Sequence, residues 1–462
     1  MVTYFVVEAT LVIAELPQSF VSFKEISNST NMEDHFTIPG WAKGSNIYEV
    51  NIRQYTNEGT FRAFAKHLPR LQQMGVEIIW FIPITPISVE KRLGTLGSYY
   101  STSNYTKINP EFGTLEEFKA VVQQAHKLGL KVLIDWVANH TGWDHHWATE
   151  YPEYYKQTPE GDFFDKHGWD DVIDLDYSNE EVRVEMIKAM SYWIQETDID
   201  GFRCDMAHLV PLDFWTRART EISTIKKDLF WLAETEDVIY SLAFDAMYAW
   251  ELLHTLEKLY KGEATLEQLN KVLEKYSNRF PEEAIHLAFT SNHDENSHSG
   301  TEYERMGKAA KAFAVLTATW KNCMPLVYSG QELPNQKRLL FFDKDEIEWT
   351  GTCWLHDFYK SLLELHRNNP ALHTSNKNNV TARIQTNDNE NVFAFTRQTG
   401  NDQVLVLLNL SALNVIKVQI TNPAIKGHYK SAFTGFEYTF SGNEIFELNA
   451  WDYLVYYKME LG

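Results

Sequence analysis

Between about residues 46 and 372, short apolar runs rich in β-branched and aromatic residues alternate with segments of helical periodicity. This alternation is typical of βαβ units and a parallel sheet. The predicted strands are IYEVNIR (47–53), VEIIWFIP (76–83), KVLIDWVA (131–138), DGFRCDM (200–206), LFWLAE (229–234), AFDAMY (243–248), HLAFTSN (286–292) and PLVYSG (325–330). Eight strands, each followed by a helical or mixed segment, predict an α/β fold of the (β/α)8 TIM-barrel type rather than an open doubly wound sheet.

The segment TLEEFKAVVQQAHKLG shows the register of one of these helices. Thr114 and Glu117 have the spacing of a capping box, and Gly129 is placed to end the helix. Six apolar positions fall on one helical face: Leu115, Phe118, Val121, Val122, Ala125 and Leu128. The next strand begins directly afterwards, as a βαβ unit requires.

Two regions depart from this alternation. Residues 141–178 are irregular, polar and aromatic, and are too long for an ordinary βα loop, which indicates a functional loop domain. Beyond residue 372 the pattern has period two with turn signals, which predicts a separate antiparallel β-sandwich domain. Residues 1–40 show no clear element beyond one possible strand or short helix.

The predicted organisation follows from these patterns. It comprises a first barrel part with an N-terminal extension (1–140), loop domain B (141–178), a second barrel part (179–372) and a C-terminal all-β domain (373–462).

Composition narrows the class of ligand. The formal net charge of −21 and the pI near 5.2 disfavour nucleic acid or an anionic membrane as partners, because long-range repulsion would oppose the encounter. Aromatic residues make up 14% of the chain, and their flat faces suit sugar rings, although most will simply be core. A neutral ligand is therefore expected.

The cysteines and the N-terminus carry little chemistry. Cys204, Cys323 and Cys353 are odd in number and lack CxxC spacing, so neither a disulfide framework nor a zinc knuckle is expected. The apolar start MVTYFVVEATLVIAEL lacks a basic region and a clear cleavage site, and it is too short to span a bilayer. A cytoplasmic protein is expected, unless the true start carries an export signal for the periplasm or secretion.

Three carboxylates end apolar strands of the predicted barrel. Asp205 ends GFRCD, Glu234 ends LFWLAE, and Asp294 follows HLAFTSNH. Any one of them could be a helix N-cap, but side chains at the C-terminal ends of barrel strands converge on one mouth. Further polar residues lie at matching strand ends: Arg203, His140 and His293. Paired carboxyl groups are what cleavage of a glycosidic bond needs, one facing the anomeric carbon and one protonating the leaving oxygen.

Several segments resemble the signature regions of the α-amylase family, in order and at suitable spacing. They are DWVANH (135–140), GFRCD (201–205), LAETE (232–236), FTSNHD (289–294) and, after the second strand, YYSTSNY (99–105). The resemblance spans about residues 45–370, and the family also has a C-terminal β domain.

This resemblance implies roles for the carboxylates. Asp205 would be the nucleophile, Glu234 the general acid/base, and Asp294 a third carboxylate that binds and distorts the sugar. Arg203 is expected to keep Asp205 ionised, because a nearby cation lowers the pKa of a carboxyl group. Burial and like-charged neighbours are expected to raise the pKa of Glu234.

The resemblance also implies residues that bind substrate. His140 and His293 would bind hydroxyl groups of the cleaved sugar, and Tyr100 would stack under its ring; the alternative for each is an ordinary core residue. Four aromatic residues of the long loop could stack on outer glucose units or pack the loop's own core: Trp143, Trp147, Tyr154 and Tyr155.

A calcium ion is possible by the same resemblance, because the family often ties the long loop to the barrel through oxygen ligands. Asn139 and Asp174 resemble two of the family's ligands. The second region departs from the pattern, since His208 and Leu209 stand where a Lys-His pair is usual; the carbonyl of Leu209 could still be a ligand. No organic cofactor is expected. A zinc site is disfavoured, because the nearby cluster lacks metal-binding spacing: His140, Asp144, His145 and His146.

The sequence therefore predicts a monomeric enzyme that cleaves α-1,4 bonds of starch, glycogen or maltodextrins by endo-acting, retaining hydrolysis. An exo-acting α-glucosidase or a glucanotransferase would use the same residues. A catalytically inactive sugar-binding or partner subunit is an alternative of another class, and the complete carboxylate set argues against it.

Overall fold

The computed structural model describes residues 36–459. The possible element in residues 1–40 falls almost wholly outside this range. Ten strands precede the C-terminal domain: β1 (Ile47–Val50), β2 (Ile78–Phe81), β3 (Lys131–Trp136), β4 (His140–Gly142), β5 (Val172–Asp174), β6 (Gly201–Cys204), β7 (Phe230–Ala233), β8 (Ala246–Tyr248), β9 (Ile285–Ala288) and β10 (Cys323–Tyr328).

Eight of these strands close into a parallel barrel in the order β1-β10-β9-β8-β7-β6-β3-β2. The predicted TIM barrel is thereby confirmed, and each of the eight predicted runs overlaps one barrel strand. Nearly every strand residue is buried, because the barrel interior covers one face and helices cover the other. The first run was predicted too long: Ile52–Tyr55 forms a helical turn instead.

Twelve α-helices lie in the described part of the chain. They are α1 (Ile52–Tyr55), α2 (Phe61–Ala65), α3 (Leu68–Gln73), α4 (Leu115–Lys127), α5 (His146–Glu150), α6 (Glu180–Thr197), α7 (Leu212–Ser223), α8 (Trp250–Tyr260), α9 (Leu266–Arg279), α10 (Glu302–Met306), α11 (Ala310–Thr319) and α12 (His356–Asn368). In α4 the predicted capping box is present, with Thr114 and Glu117 bonded reciprocally. Gly129 follows with a φ of +80°, which suits a glycine at a helix C-terminus.

The long loop after β3 carries little regular structure. Its strands β4 and β5 pair antiparallel, with His140 opposite Asp174, and α5 lies between them in sequence. The hairpin therefore brings the end of the loop back beside its beginning, at the mouth of the barrel.

The C-terminal strands form two antiparallel sheets. They are β11 (Val380–Ile384), β12 (Val392–Thr399), β13 (Asp402–Asn409), β14 (Ile416–Thr421), β15 (Gly427–Ser431), β16 (Glu437–Phe440), β17 (Asn443–Leu448) and β18 (Tyr453–Lys458). A six-stranded sheet, β11-β12-β13-β18-β15-β16, faces the pair β14-β17 across a shared apolar core. The other face of the large sheet packs on the barrel, where Trp320 contacts Phe393 and Phe395.

Candidate active site

Asp205 and Glu234 come directly after neighbouring barrel strands. Strands β6 and β7 pair with Cys204 opposite Ala233, so the two acids are the next residues in the same register. The backbone N–H of Glu234 donates to the carbonyl of Cys204 at 3.0 Å, which continues the pairing to this point. Because neighbouring strands lie about 4.8 Å apart, the two carboxyl groups start from closely spaced positions.

A single buried guanidinium group contacts both acids. Arg203 Nη1 donates to Asp205 Oδ1 at 2.8 Å, and Nη2 lies 2.9 Å from Glu234 Oε2, although its angle is not that of a hydrogen bond. The sequence predicted Arg203 as a partner of Asp205 only. The structure shows that Arg203 also contacts Glu234, because its side chain reaches the ends of both β6 and β7.

The expected low pKa of Asp205 is wrong. Burial raises the pKa of Asp205 to about 6, and the opposing effect of Arg203 does not cancel it. Arg203 also contacts the carboxylates of Asp135 and Glu234, so it offsets the cost of burying the Asp205 charge only in part. Burial likewise raises the pKa of Glu234 to about 7, as expected, with Asp205 and Asp294 adding to the rise. Both groups favour the protonated form more than a carboxyl in water does, and Glu234 is the more easily protonated of the two.

Asp294 and His293 follow β9, which only β8 separates from β7 in the barrel. His293 Nε2 lies 3.2 Å from Asp294 Oδ2, and Nδ1 contacts the carboxylate of Glu49 on β1. Burial alone would lower the pKa of His293, but Asp294 and Glu49 raise it to about 9. His293 is therefore an imidazolium between two carboxylates at neutral pH.

Tyr100 joins this side of the site to the centre. Its hydroxyl lies 2.7 Å from His293 Nε2 and donates to Asp135 Oδ2 at 3.2 Å. Its ring is nearly parallel to that of Phe341, with centroids 6.3 Å apart. Arg203 also bonds Asp135, at 3.0 Å, so Tyr100 and the carboxylate pair share one network.

The residue-by-residue prediction missed Asp135 and Glu49. Both are fully or almost fully buried acids inside barrel strands, and each holds a cation of the site. The available signal was a charged residue in an otherwise apolar strand, and Asp135 also begins the DWVANH segment.

His140, unlike His293, is uncharged at neutral pH. Burial lowers the pKa of His140 to about 4, so its ring is neutral. Asn139 Nδ2 lies 3.2 Å from its Nδ1, and the ring of Trp169 packs against it edge-on at 5.4 Å.

The four aromatic residues of the long loop divide into two groups. Trp147, Tyr154 and Tyr155 are at most 6% exposed and pack the loop's own core. Trp143 is only partly buried, with the Lys91 ammonium over its ring, and it remains available at the surface.

Two of the three predicted calcium ligands, Asn139 and Asp174, do not fit the ion. Asn139 and Asp174 do meet, but Asn139 Nδ2 donates to Asp174 Oδ1 at 3.3 Å and Lys156 Nζ contacts Oδ2 at 3.1 Å. Calcium needs six to eight oxygen ligands, and here an ammonium group holds the carboxylate oxygen that would bind it. The carbonyl of Leu209, the third predicted ligand, stays a prediction.

The other cluster near this loop is held by protein contacts. His145 accepts from the N–H of Trp147 and stacks on His146, while Asp144 accepts from the N–H of Val89. Across residues 36–459, no group of three or more His, Cys, Asp and Glu side chains is arranged to hold a metal. All three cysteines are free. No helix of this same range is both long and apolar enough to cross a bilayer.

Comparison of the sequence with known proteins finds α-amylases. The family model of the α-amylase catalytic domain matches residues 21–172 and 161–404. The chain is 26% identical to an α-amylase of Haloarcula japonica over 82% of the chain and 57% of that protein. It is 24% identical to a maltogenic α-amylase of Bacillus acidopullulyticus over 96% of the chain and 82% of that protein. The chain thus spans little more than half the length of the Haloarcula relative.

Comparison with solved structures also finds α-amylases. A noncanonic maltogenic α-amylase from Thermotoga neapolitana superposes with a TM-score of 0.83 and 29% identity, covering 91% of this chain and all of that one. An α-amylase from Lactobacillus plantarum gives 0.81 and 28%, over 91% of this chain and all of that one. Since the matches to the catalytic domain extend over well more than half of the sequence, the chain belongs to the α-amylase family of glycoside hydrolases.

Proposed function

We propose that the chain hydrolyses α-1,4-glucosidic bonds of starch, glycogen or maltodextrins with retention of configuration. The observation that carries the proposal is the pair Asp205 and Glu234, in register on neighbouring strands with one guanidinium group between them. Retaining glycosidases need their carboxyl groups about 5–5.5 Å apart, whereas inverting enzymes need a wider gap that admits water. Adjacent strand positions suit the narrow spacing.

The reaction proceeds in two balanced steps. Glu234 gives its proton to the glycosidic oxygen while an oxygen of Asp205 attacks the anomeric carbon, so the C–O bond to the leaving sugar breaks and a glycosyl ester forms. Glu234, now a carboxylate, takes a proton from water, whose oxygen displaces Asp205 from the same carbon. Two inversions return the original configuration.

The surrounding residues bind the sugar in this scheme. Asp294 and the imidazolium of His293 form a charged pair that accepts from and donates to hydroxyl groups. Neutral His140 binds another hydroxyl from the long-loop side, and Tyr100 offers its ring as a platform. Because these groups are fixed by buried partners, they are oriented before substrate arrives.

Endo action is the finer part of the proposal. Aromatic side chains from two separate segments adjoin the site: Trp169 lies against His140, and Phe341 lies beside Tyr100. Two such surfaces suit a substrate of several glucose units. Exo action that releases maltose is the second candidate, favoured by the likeness to the maltogenic α-amylases of Thermotoga neapolitana and Bacillus acidopullulyticus.

Two measurements test the proposal. Proton NMR of the first products from maltodextrin should show the α-anomer, and an initial β-anomer would exclude the double displacement. Products from amylose, maltotriose, pullulan and sucrose should then be resolved over time. Early mixtures of long oligosaccharides from amylose indicate endo action, and maltose alone from the outset indicates exo action. Binding of maltodextrin without any turnover would instead identify a sugar-binding subunit.

A further inference from the structure

The carboxylate of Asp174 is completely buried and holds a cation from its own chain. Its Oδ2 pairs with the Lys156 ammonium at 3.1 Å, and its Oδ1 accepts from Asn139 Nδ2 at 3.3 Å. The backbone adds a second link, since the N–H of Lys156 donates to the carbonyl of Asp174 at 3.0 Å. Both carboxylate oxygens therefore have donors, as a buried charge requires.

This cluster lies where the long loop joins the barrel. Asp174 is the last residue of β5 and stands opposite His140, the first residue of β4. The N–H of Leu175 donates to the carbonyl of Asn139 at 3.0 Å, so the end of the loop is bonded to the segment that leaves β3. Through the amide nitrogen of Asn139, two hydrogen bonds connect the buried carboxylate to the neutral ring of His140.

A divalent ion and this ammonium group are mutually exclusive. A calcium ion would need the oxygen of Asp174 that Lys156 occupies, and it would lie against a positive charge. The ammonium group supplies a cation at the same carboxylate, whose other oxygen accepts from Asn139 in the segment that leaves β3. A covalently attached cation cannot be removed by a chelator.

We propose that the Lys156 ammonium is the built-in structural cation of this chain, replacing a metal ion at Asp174, where it joins two segments of loop 141–178 and keeps the carboxylate in place to hold Asn139 against His140. The role needs the charge of Lys156, which is 35% exposed, and not only its methylene stem. It does not depend on which reaction the site performs.

The test uses the full chain and reads thermal unfolding. Lys156→Met keeps the stem and leaves Asp174 as an unpaired buried anion, so the Tm should fall by at least roughly 4 °C. Lys166, an exposed lysine of the same loop, gives the matched control Lys166→Met, which should leave the Tm unchanged. The double variant Lys156→Met/Asp174→Asn should recover much of the loss, since it removes the uncompensated charge. If the Lys156 side chain contributed only by packing, the double variant would not recover the lost Tm.

Chelation is the second arm. Wild-type protein treated with EDTA should keep its Tm, and elemental analysis should find no stoichiometric calcium. The proposal is overturned if chelation lowers the wild-type Tm and calcium restores it. It is also overturned if Lys156→Met unfolds at the same temperature as Lys166→Met, or if the double variant is as unstable as Lys156→Met.

Discussion

The imidazole of His293, which follows β9, is bonded through Nδ1 to the fully buried carboxylate of Glu49 on β1. Two strands that are far apart in sequence thus combine to set the charge of one side chain. The Glu49 carboxylate contacts Nδ1, so it can stabilise the imidazolium without occupying Nε2, the nitrogen that adjoins Asp294.

Replacing Glu49 with Gln should lower the pKa of His293 from about 9 by roughly 1–2 units, because an adjacent opposite charge is lost. NMR titration of labelled histidine measures this, and His140, whose ring is kept neutral by burial, is the internal control. An unchanged titration of His293 would show that Glu49 does not set its charge.

The same variant has a pH-dependent effect on stability. The folded-state pKa of His293 is above the ~6.5 of an unfolded histidine, so the stabilisation is complete below about pH 6.5 and is lost as the pH rises through 9. The Tm difference between wild type and Glu49→Gln should therefore be larger at pH 6 than at pH 9.5.

Asp205→Asn should lower kcat by roughly four orders of magnitude or more, because an amide cannot form the glycosyl ester. The fold should remain, and at pH 8 the Tm should be equal or higher. Since burial raises the pKa of Asp205 to about 6, the cost of ionising it in the folded state accumulates between about pH 4 and 6 and is fully present at pH 8. The exposed Asp402 supplies the control Asp402→Asn. Near-normal turnover by folded Asp205→Asn would remove Asp205 from the mechanism.

Glu234→Gln should nearly abolish starch hydrolysis but spare glycosylation by an α-glucosyl fluoride, because fluoride leaves with little acid assistance. The ester on Asp205 should then accumulate and be visible by mass spectrometry, and azide should speed turnover and give an α-glycosyl azide.

Glu236→Gln is the matched control. Glu236 accepts hydrogen bonds from Tyr276 and from the N–H of Glu251, so it faces away from Arg203 and should not behave as the acid. If Glu234→Gln loses activity on starch and on the glucosyl fluoride equally and azide has no effect, the acid/base is another residue.

The pH profile of kcat/KM should be a narrow bell with its maximum near pH 6–7. Activity falls below about pH 6 as Asp205 takes up a proton, and above about pH 7 as Glu234 loses its own. The two apparent values belong to the interacting pair rather than to single residues. Initial rates between pH 4 and 9 measure the profile, and the basic limb should flatten when the substrate is a glucosyl fluoride. A basic limb of equal steepness with both substrates would contradict the assignment of Glu234.

The sequence by itself determined the barrel, because hydrophobic periodicity and capping are local properties: each apolar run and each helix, such as Thr114 to Gly129, is specified within its own few residues. It also placed Asp205, Glu234, Asp294 and His293 at one mouth, since consecutive parallel strands put their C-terminal ends on one side. Of their charge states, the raised pKa of Glu234 was predicted, but those of Asp205 and His293 were not. The pKa of a side chain depends on burial and on neighbours that come from other strands.

Only the tertiary structure decided those neighbours. It showed that Arg203 is shared with Glu234, that Glu49 of β1 contacts His293 after β9, and that Lys156 meets Asp174 where an ion was expected. It also showed that three of the loop aromatics are buried while Trp143 is partly exposed beneath the Lys91 ammonium, because burial is set by which segments pack together. Contacts between residues distant in sequence leave no periodic signal in the chain, and electrostatic energies fall off over a few ångströms, so both depend on the closed barrel and the folded loop.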